Sequence, residues 1–259
     1  MGIVNVTPDS FSGDGLYQDE ATAVRNGIQM FEAGAEFVDI GGESTRPYAD
    51  PVPESEELSR VLGVVTKLSA IHPGKVSIDT MKPTVADAAL RAGATIVNDV
   101  SGLRSSEMRT IVAEHGASVI IMHMLGEPRT MQDSPIYEDV VVDIIEHLKV
   151  RIEDAEKDGI DPKRIMVDPG IGFGKTVDHN IEILARLGEM KSLGKPVVVG
   201  VSRKSFIGSI TGRSVEDRLG GSIAAAMVAA SNGADIVRAH DVPETVQALR
   251  VAWRISSGL

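Results

Sequence analysis

A single α/β domain spanning residues 1–259, folded as a (β/α)8 TIM barrel, is predicted by three observations. The length of 259 residues is close to the roughly 250 typical of one such barrel and is enough to bury a single core. Four helical patterns end in Gly-Ala and pass at once into an apolar strand. Short apolar runs alternate with helical patterns from one end of the chain to the other. That alternation implies parallel strands, and eight repeats in this length suit a closed barrel better than an open sheet.

The strand candidates, in order, are residues 3–6, 37–40, 76–78, 95–97, 119–122, 165–167, 196–199 and 236–238. Gly34-Ala35 leads into the second, Gly93-Ala94 into the fourth, Gly116-Ala117 into the fifth and Gly233-Ala234 into the eighth. Glycine takes the left-handed turn that closes a helix without steric cost. The intervening segments each carry one apolar face at helical spacing, as in Leu58, Val61, Leu62, Val65 and Leu68, and again in Val141, Ile144, Ile145, Leu148 and Ile152. Such a face needs a sheet to cover. No linker, low-complexity tract or charge block interrupts the series, so no domain boundary is expected.

Composition narrows the functional classes. Hydrophobic residues at 42% and charged residues at 24% fit a soluble globular chain. The longest uncharged stretch, residues 222–234, is shorter than the ~18 apolar residues that read as a membrane span, and no signal peptide pattern opens the chain. A cytoplasmic protein is expected. A net charge of −11 argues against nucleic acid as a partner, although a local basic cluster can still bind a small anion. With no cysteine, disulfides, thiolate metal sites and cysteine nucleophiles are excluded.

Several motifs fail on inspection. The segment DPGIGFGKT at 168–176 resembles a phosphate loop, but Pro169 stands where Walker A needs glycine, and Lys175 where a dinucleotide fingerprint needs one. Lys204 replaces the last glycine of a nucleophile elbow around Ser202. The six histidines show no zinc spacing, and His72, His115, His147 and His179, in helical or loop contexts, are expected at the surface. The glycosylation triplet Asn5-Val6-Thr7 is discounted for want of a secretory signal.

Chemistry in this fold gathers at the C-terminal ends of the strands. There the chain places Asn5; Glu43, Thr45 and Arg46; Asp79; Asn98 and Asp99; His123; Asp168; Arg203, Lys204 and Ser205; and Arg238 and His240. Any one Asp or Asn after a strand can simply cap the next helix, but convergence from all eight strands is hard to attribute to capping. Asp79 and Asp168, with Asn98 between their strands, suit a flat heterocycle presenting several N–H donors on one edge, because a carboxylate accepts two parallel hydrogen bonds from such an edge. A pterin has one. Lys204 would meet carbonyl or ring-nitrogen acceptors, while Arg238, His240 and Asn5 would hold an anionic leaving group or its Mg2+, an ion that keeps waters and takes few protein ligands.

Eight segments together resemble one family, the dihydropteroate synthases. They are MGIVNVTPDSFS at 1–12, GESTRP at 42–47, SIDT at 77–80, ND at 98–99, MHM at 122–124, DPGIGFGK at 168–175, SRKS at 202–205 and RAHDV at 238–242. The resemblance runs in family order over essentially the whole chain. It implies condensation of 6-hydroxymethyl-7,8-dihydropterin pyrophosphate with p-aminobenzoate, giving 7,8-dihydropteroate and pyrophosphate, by dissociative displacement without a covalent enzyme intermediate. It also implies Mg2+ as cofactor, competition by sulfonamides for the p-aminobenzoate pocket, and a homodimer, for which the small-residue helix at 223–230 is a candidate face whose alanines could instead simply pack closely on the barrel.

By the same resemblance, Asp79, Asn98, Asp168 and Lys204 hold the pterin ring, with Met122 and Phe173 at its face. Asn5 takes the metal, and Arg238 and His240 take the pyrophosphate; Thr45, Arg46, Pro47, Phe173 and Ser205 form the p-aminobenzoate pocket. Lys204, Arg238, His240 and Asp79 are the expected catalytic set. Loops 7–17 and 42–53, rich in Gly, Pro, Ser and Asp, are expected to act as lids. The chain departs from the family pattern in starting its first strand at once, in the order of FSGDG at 11–15, and in Tyr48 after Arg46-Pro47. Three rivals share parts of the set: a pterin-dependent methyltransferase barrel, an aldolase-type barrel using Lys204 as a Schiff base, and a pterin-binding module without catalysis. The loops around Thr45 and the SRKS segment favour the synthase.

Overall fold

The computed structural model describes residues 1–7, 20–45, 49–127 and 130–258. Eight strands alternate with helices: β1 (Gly2–Asn5), α1 (Glu20–Glu32), β2 (Val38–Gly41), α2 (Glu54–Ile71), β3 (Val76–Asp79), α3 (Pro83–Arg91), β4 (Ile96–Asp99), α4 (Ser106–Glu114), β5 (Ser118–Met122) and α5 (Val140–Lys157). They continue with β6 (Ile165–Asp168), α6 (Val177–Ala185), β7 (Val198–Gly200), α7 (Ser205–Thr211), α8 (Leu219–Ser231), β8 (Ile236–Arg238) and α9 (Val242–Ser257). All eight strand candidates are present, with no end shifted by more than two residues.

Strands β1 to β6 pair in parallel in chain order, as do β7 and β8. Two single bridges, Val167 to Val197 and Gly2 to Ala239, join these groups and close the ring. The closure at β1 is carried by Ile3 N–H donating to the Ala239 carbonyl at 3.1 Å and Ala239 N–H donating to Met1 at 2.9 Å. The α-helices cover the outside, so most strands are buried on both faces and read as apolar runs, β8 alone being half-buried along its length.

The four Gly-Ala junctions behave alike. Gly34, Gly93, Gly116 and Gly233 all have positive φ, and the N–H of each following alanine donates five residues back: Ala35 to Met30, Ala94 to Ala89, Ala117 to Val112, and Ala234 to Ala229. This is the Schellman closure, which satisfies a carbonyl left over at the helix end. It explains why each helix stops there and the strand begins without a linker.

Alternation within the strands separates two cores. Outward residues such as Val97, Val119, Ile121, Val167 and Val199 join the helix faces of α2 and α5 (Val61, Val65, Leu68, Ile144, Leu148) in the main cluster. Inward residues Ile96, Ile120 and Val198 form a smaller cluster with Met1, Phe37, Met166 and Ile236 inside the barrel. Two positions further along five of the strands, the inward side is polar: Asn5 follows Ile3, Asp79 follows Ser77, Asn98 follows Ile96, Asp168 follows Met166, and Arg238 follows Ile236. The side-chain period of two thus puts an apolar plug at the bottom and polar groups at the mouth.

One expectation about the histidines is corrected. His115 is exposed and pairs with Asp87 at 2.8 Å, His179 closes a capping box with Thr176 at the start of α6, and His72 stacks on Phe31. His147 is half-buried, with its ring turned inward. It packs edge-on against buried His123 at 4.9 Å between ring centres, its Nε2 is buried with no hydrogen-bond partner among the described residues, and burial, then nearby Arg151, holds its pKa below the ordinary value. Its ring faces inward from α5 and fills the space over the end of β5.

Candidate active site

Register builds the base of the site. Asn5 is level with Gly41, Gly41 with Asp79, and Asp79 with Asn98, while Met122 is level with Asp168 and Gly200 with Arg238. Arg238 links these groups across the mouth. Its Nε donates to Asp39 Oδ2 at 2.6 Å and its Nη2 to Asp79 Oδ2 at 2.6 Å, and Asn98 Nδ2 donates to the same Asp39 oxygen at 2.9 Å. Burial pushes the Asp79 carboxyl up to about 7, against the pull of Arg238. Arg238 stays firmly cationic, because Asp39 and Asp79 outweigh the burial that works against its charge.

Asp39 was missed by sequence reasoning, although a charged residue inside the apolar run FVDI was a visible signal. It is fully buried, and one of its oxygens has no hydrogen-bond partner among the described residues. Its work is to hold Arg238 and Asn98 in place from below.

The loop after β6 is shaped by backbone contact. Gly170 sits at φ +69°, and a Cβ there would lie 1.9 Å from the His123 carbonyl oxygen, so only glycine fits. Its N–H donates to Asp168 Oδ1 at 2.7 Å. Burial raises the Asp168 carboxyl, opposed by this N–H and by Lys204. Lys175, the second residue missed, is buried beneath the loop, and its Nζ donates to the Phe173 carbonyl at 2.8 Å and to His123 Nδ1 at 2.9 Å. Burial holds Lys175 well below its usual pKa and His123 down at about 2. Phe173 is thereby fixed with its ring under Lys204, whose Nζ lies 4.2 Å from the ring centre.

The turn after β7 carries Ser202 to Ser205. Arg203 adopts a left-handed φ of 58° and is anchored by its side chain, Nε donating to Asp241 Oδ2 at 3.0 Å and Nη2 to Oδ1. That pairing leaves Lys204 on the cavity side. Burial lowers Lys204 to about 8, opposed by Asp168 and reinforced by Arg238. His240 Nδ1 meets Ser202 Oγ at 3.0 Å, and Asn5 Nδ2 faces its Nε2 at 3.4 Å. Burial and then Arg238 keep His240 neutral, with a pKa of about 3.

Asn5, Thr45, Asp79, Phe173, Lys204, Ser205, Arg238 and His240 open on one cavity of about 500 Å³ at the C-terminal ends of the strands. Asn98, Met122 and Asp168 stand just behind this wall. All three are buried, Asn98 bonded to Asp39 and Met122 packed with Met124, Met131 and Phe173. Arg46, Pro47 and Tyr48, and the loop at 8–17, lie outside the described residues.

No group of three His, Asp or Glu side chains is placed to hold a metal ion among the described residues. Asn5 turns its amide nitrogen to His240, so its amide oxygen is the donor it offers the cavity. That oxygen fits a Mg2+ that keeps its waters and takes diphosphate oxygens, and does not fit an ion caged by protein alone.

The pterin-binding enzyme family matches residues 1–240. Over 251 residues the chain is 44% identical to the dihydropteroate synthase of Escherichia coli (strain K12), covering 97% of this chain and 89% of that protein. The chain belongs to the dihydropteroate synthase family of pterin-binding enzymes. A Yersinia pestis dihydropteroate synthase solved as a sulfonamide drug complex superposes with a TM-score of 0.95 at 42% identity, covering 99% of this chain and 94% of that one. A Xanthomonas albilineans dihydropteroate synthase in complex with 7,8-dihydropteroate superposes at 0.89 with 44% identity, covering 100% and 93%.

The closed α/β barrel is thus that of the dihydropteroate synthases, and the chain is a transferase that produces 7,8-dihydropteroate. The methyltransferase, Schiff-base and binding-only readings give way to this one. No helix among the described residues is long and apolar enough to cross a membrane.

Proposed function

We propose that residues 1–259 act as one barrel domain whose single mouth holds both substrates, the pterin deep and the arylamine towards the loops. The observation that carries this is the shared cavity, into which an amide, a carboxylate, an ammonium, a guanidinium and a neutral imidazole converge from the ends of β1, β3, β7 and β8. Asp79, Asn98, Asp168 and Lys204 take the polar edge of the pterin, with Met122 and Phe173 against its face. Thr45, Arg46, Pro47, Phe173 and Ser205 take p-aminobenzoate, and sulfonamides compete there.

The diphosphate end lies at Asn5, Arg238 and His240. Mg2+ held through Asn5 would neutralise part of the diphosphate charge. Arg238 donates charge-assisted hydrogen bonds to the departing oxygens, and His240, neutral and oriented by Ser202, lines the diphosphate end and holds the Asn5 amide nitrogen so that its oxygen faces the cavity. As the bond from the pterin methylene carbon to oxygen breaks, its electron pair leaves with the diphosphate. The amine lone pair then forms the new carbon–nitrogen bond, and the surplus amine proton is released. Orientation and fixed charge carry the rate, with no covalent enzyme intermediate.

The deciding assay couples pyrophosphate release to a chromogenic readout, using dihydropterin pyrophosphate with and without p-aminobenzoate and Mg2+. Release that depends on both is expected. Release indifferent to p-aminobenzoate would contradict the proposal.

The same assay has a predicted pH profile. Asp79 must be ionised to accept the pterin edge, so kcat/KM should fall as pH drops through about 7. Lys204 must be protonated, so kcat/KM should fall again as pH rises through about 8. The result is a narrow bell, and Lys204→Arg should remove its alkaline limb. An alkaline limb unmoved in that variant would assign it to another group.

Homodimerisation is proposed through α8, where Leu219 and Val228 are exposed apolar side chains, and is checked by sedimentation. The cytoplasm is the proposed location.

A further inference from the structure

The loop after β2 leaves the barrel at Gly42 and re-enters regular structure at Glu54, the first residue of α2. Both ends are gripped by one ion network. Lys82 Nζ, beyond β3, donates to Glu43 Oε2 at 2.9 Å, to Glu57 Oε2 at 2.5 Å and to the Val52 carbonyl at 2.6 Å. The other oxygen of Glu43 accepts from Val52 N–H at 2.9 Å. Glu43 and Val52, nine residues apart, are therefore tied directly and again through the lysine.

The network is rooted in the barrel wall. Glu57 is fully buried, and its second oxygen accepts from Thr80 Oγ1 at 2.7 Å. Arg60 Nη1 holds the Gly42 carbonyl at 2.7 Å. Burial disfavours the Lys82 charge, but Glu57 and Glu43 more than offset it, and the lysine is held above its usual pKa. Two buried polar residues on the inner face of α2, Glu57 and Arg60, where apolar side chains would otherwise pack, are explained by this task.

We propose that Lys82 and Glu43 are positioning residues for the p-aminobenzoate side of the reaction: their clasp sets Ser44 and Thr45 against the cavity. This rests on the assignment of Thr45 to that substrate. Glu43, Ser44 and Thr45 line the cavity in succession, whereas Lys82 does not reach it. Pinning the base of a loop removes conformations it would otherwise explore, and a misplaced substrate contact is costly in rate even when the chemistry is untouched. The pterin side is anchored mainly through Arg238 and Asp39, and meets the clasp only at Glu57, through Thr80 beside Asp79.

The test is steady-state kinetics on the full chain with each substrate varied in turn, alongside thermal denaturation. Glu43→Ala and Lys82→Met should each raise KM for p-aminobenzoate about tenfold, with KM for the pterin diphosphate within about twofold of the parent. Lys82→Arg should restore most of the loss. Because Lys82→Met strands buried Glu57 and can fail to fold, Glu43→Ala, which leaves the Lys82–Glu57 pair intact, decides alone if it does. A rise shared equally by both substrates, or none, overturns the clasp. Thr45→Ala run in parallel separates the two ideas: if it raises KM for p-aminobenzoate while Glu43→Ala does not, only the clasp fails. If Thr45→Ala leaves that KM unchanged, the pocket assignment falls and the clasp with it.

Discussion

Arg238→Met should cost about 3–5 kcal/mol of stability, because it strips the counter-charge from two buried carboxylates at once. Asp39 is fully buried, and Asp79 is already hard to ionise before its partner is removed. For a chain of this size that corresponds to roughly 10 °C in melting temperature. Methionine keeps much of the side-chain volume, so packing loss is a small part of the effect. The sign of the pH dependence follows. Burial already raises Asp79, and without the opposing pull of Arg238 it rises further in the folded variant, so the deficit is largest at high pH and shrinks as pH falls and Asp79 takes up a proton. Denaturation at pH 8 and pH 5 should show the gap between variant and parent closing at the lower value. A constant gap, or one that widens in acid, would mean that Arg238 is not the counter-ion holding this base together. Turnover should fall as well, since the same guanidinium faces the cavity.

Lys204→Ala should lose about 2–4 kcal/mol of transition-state stabilisation, or roughly 10²–10³ in kcat/KM, as expected for one preorganised donor. Its ammonium lies over Phe173 and is coupled to Asp168, so its loss removes a contact to the pterin and lets Asp168 bind a proton more readily. Asp168→Ala should fall in the same range. The two effects should not add in the double variant, because each single change already disables the pair. Near-parental turnover in either single variant would remove these residues from the proposed catalytic set.

Much of this was legible in the amino-acid order. A helix closes where glycine permits a left-handed turn, a strand follows where β-branched residues run together, and both are local consequences of residue type. That is why Gly34, Gly93, Gly116 and Gly233 marked four boundaries correctly. The polar positions at the strand ends were equally visible, because alternation and the barrel topology force Asn5, Asp79, Asn98, Asp168 and Arg238 to the same end. Partnership was not visible. Arg238 meets Asp39 and Asp79 across 199 and 159 residues of chain, Lys175 meets His123 across 52, and Lys82 reaches back to Glu57 and Glu43 across 25 and 39. A charged side chain declares its chemistry in the sequence, but its burial, its pKa and its counter-ion depend on which strands and helices become neighbours in three dimensions. His147 makes the point from the other side: helical context alone read as surface, and only the packing of α5 over β5 turned its ring inward.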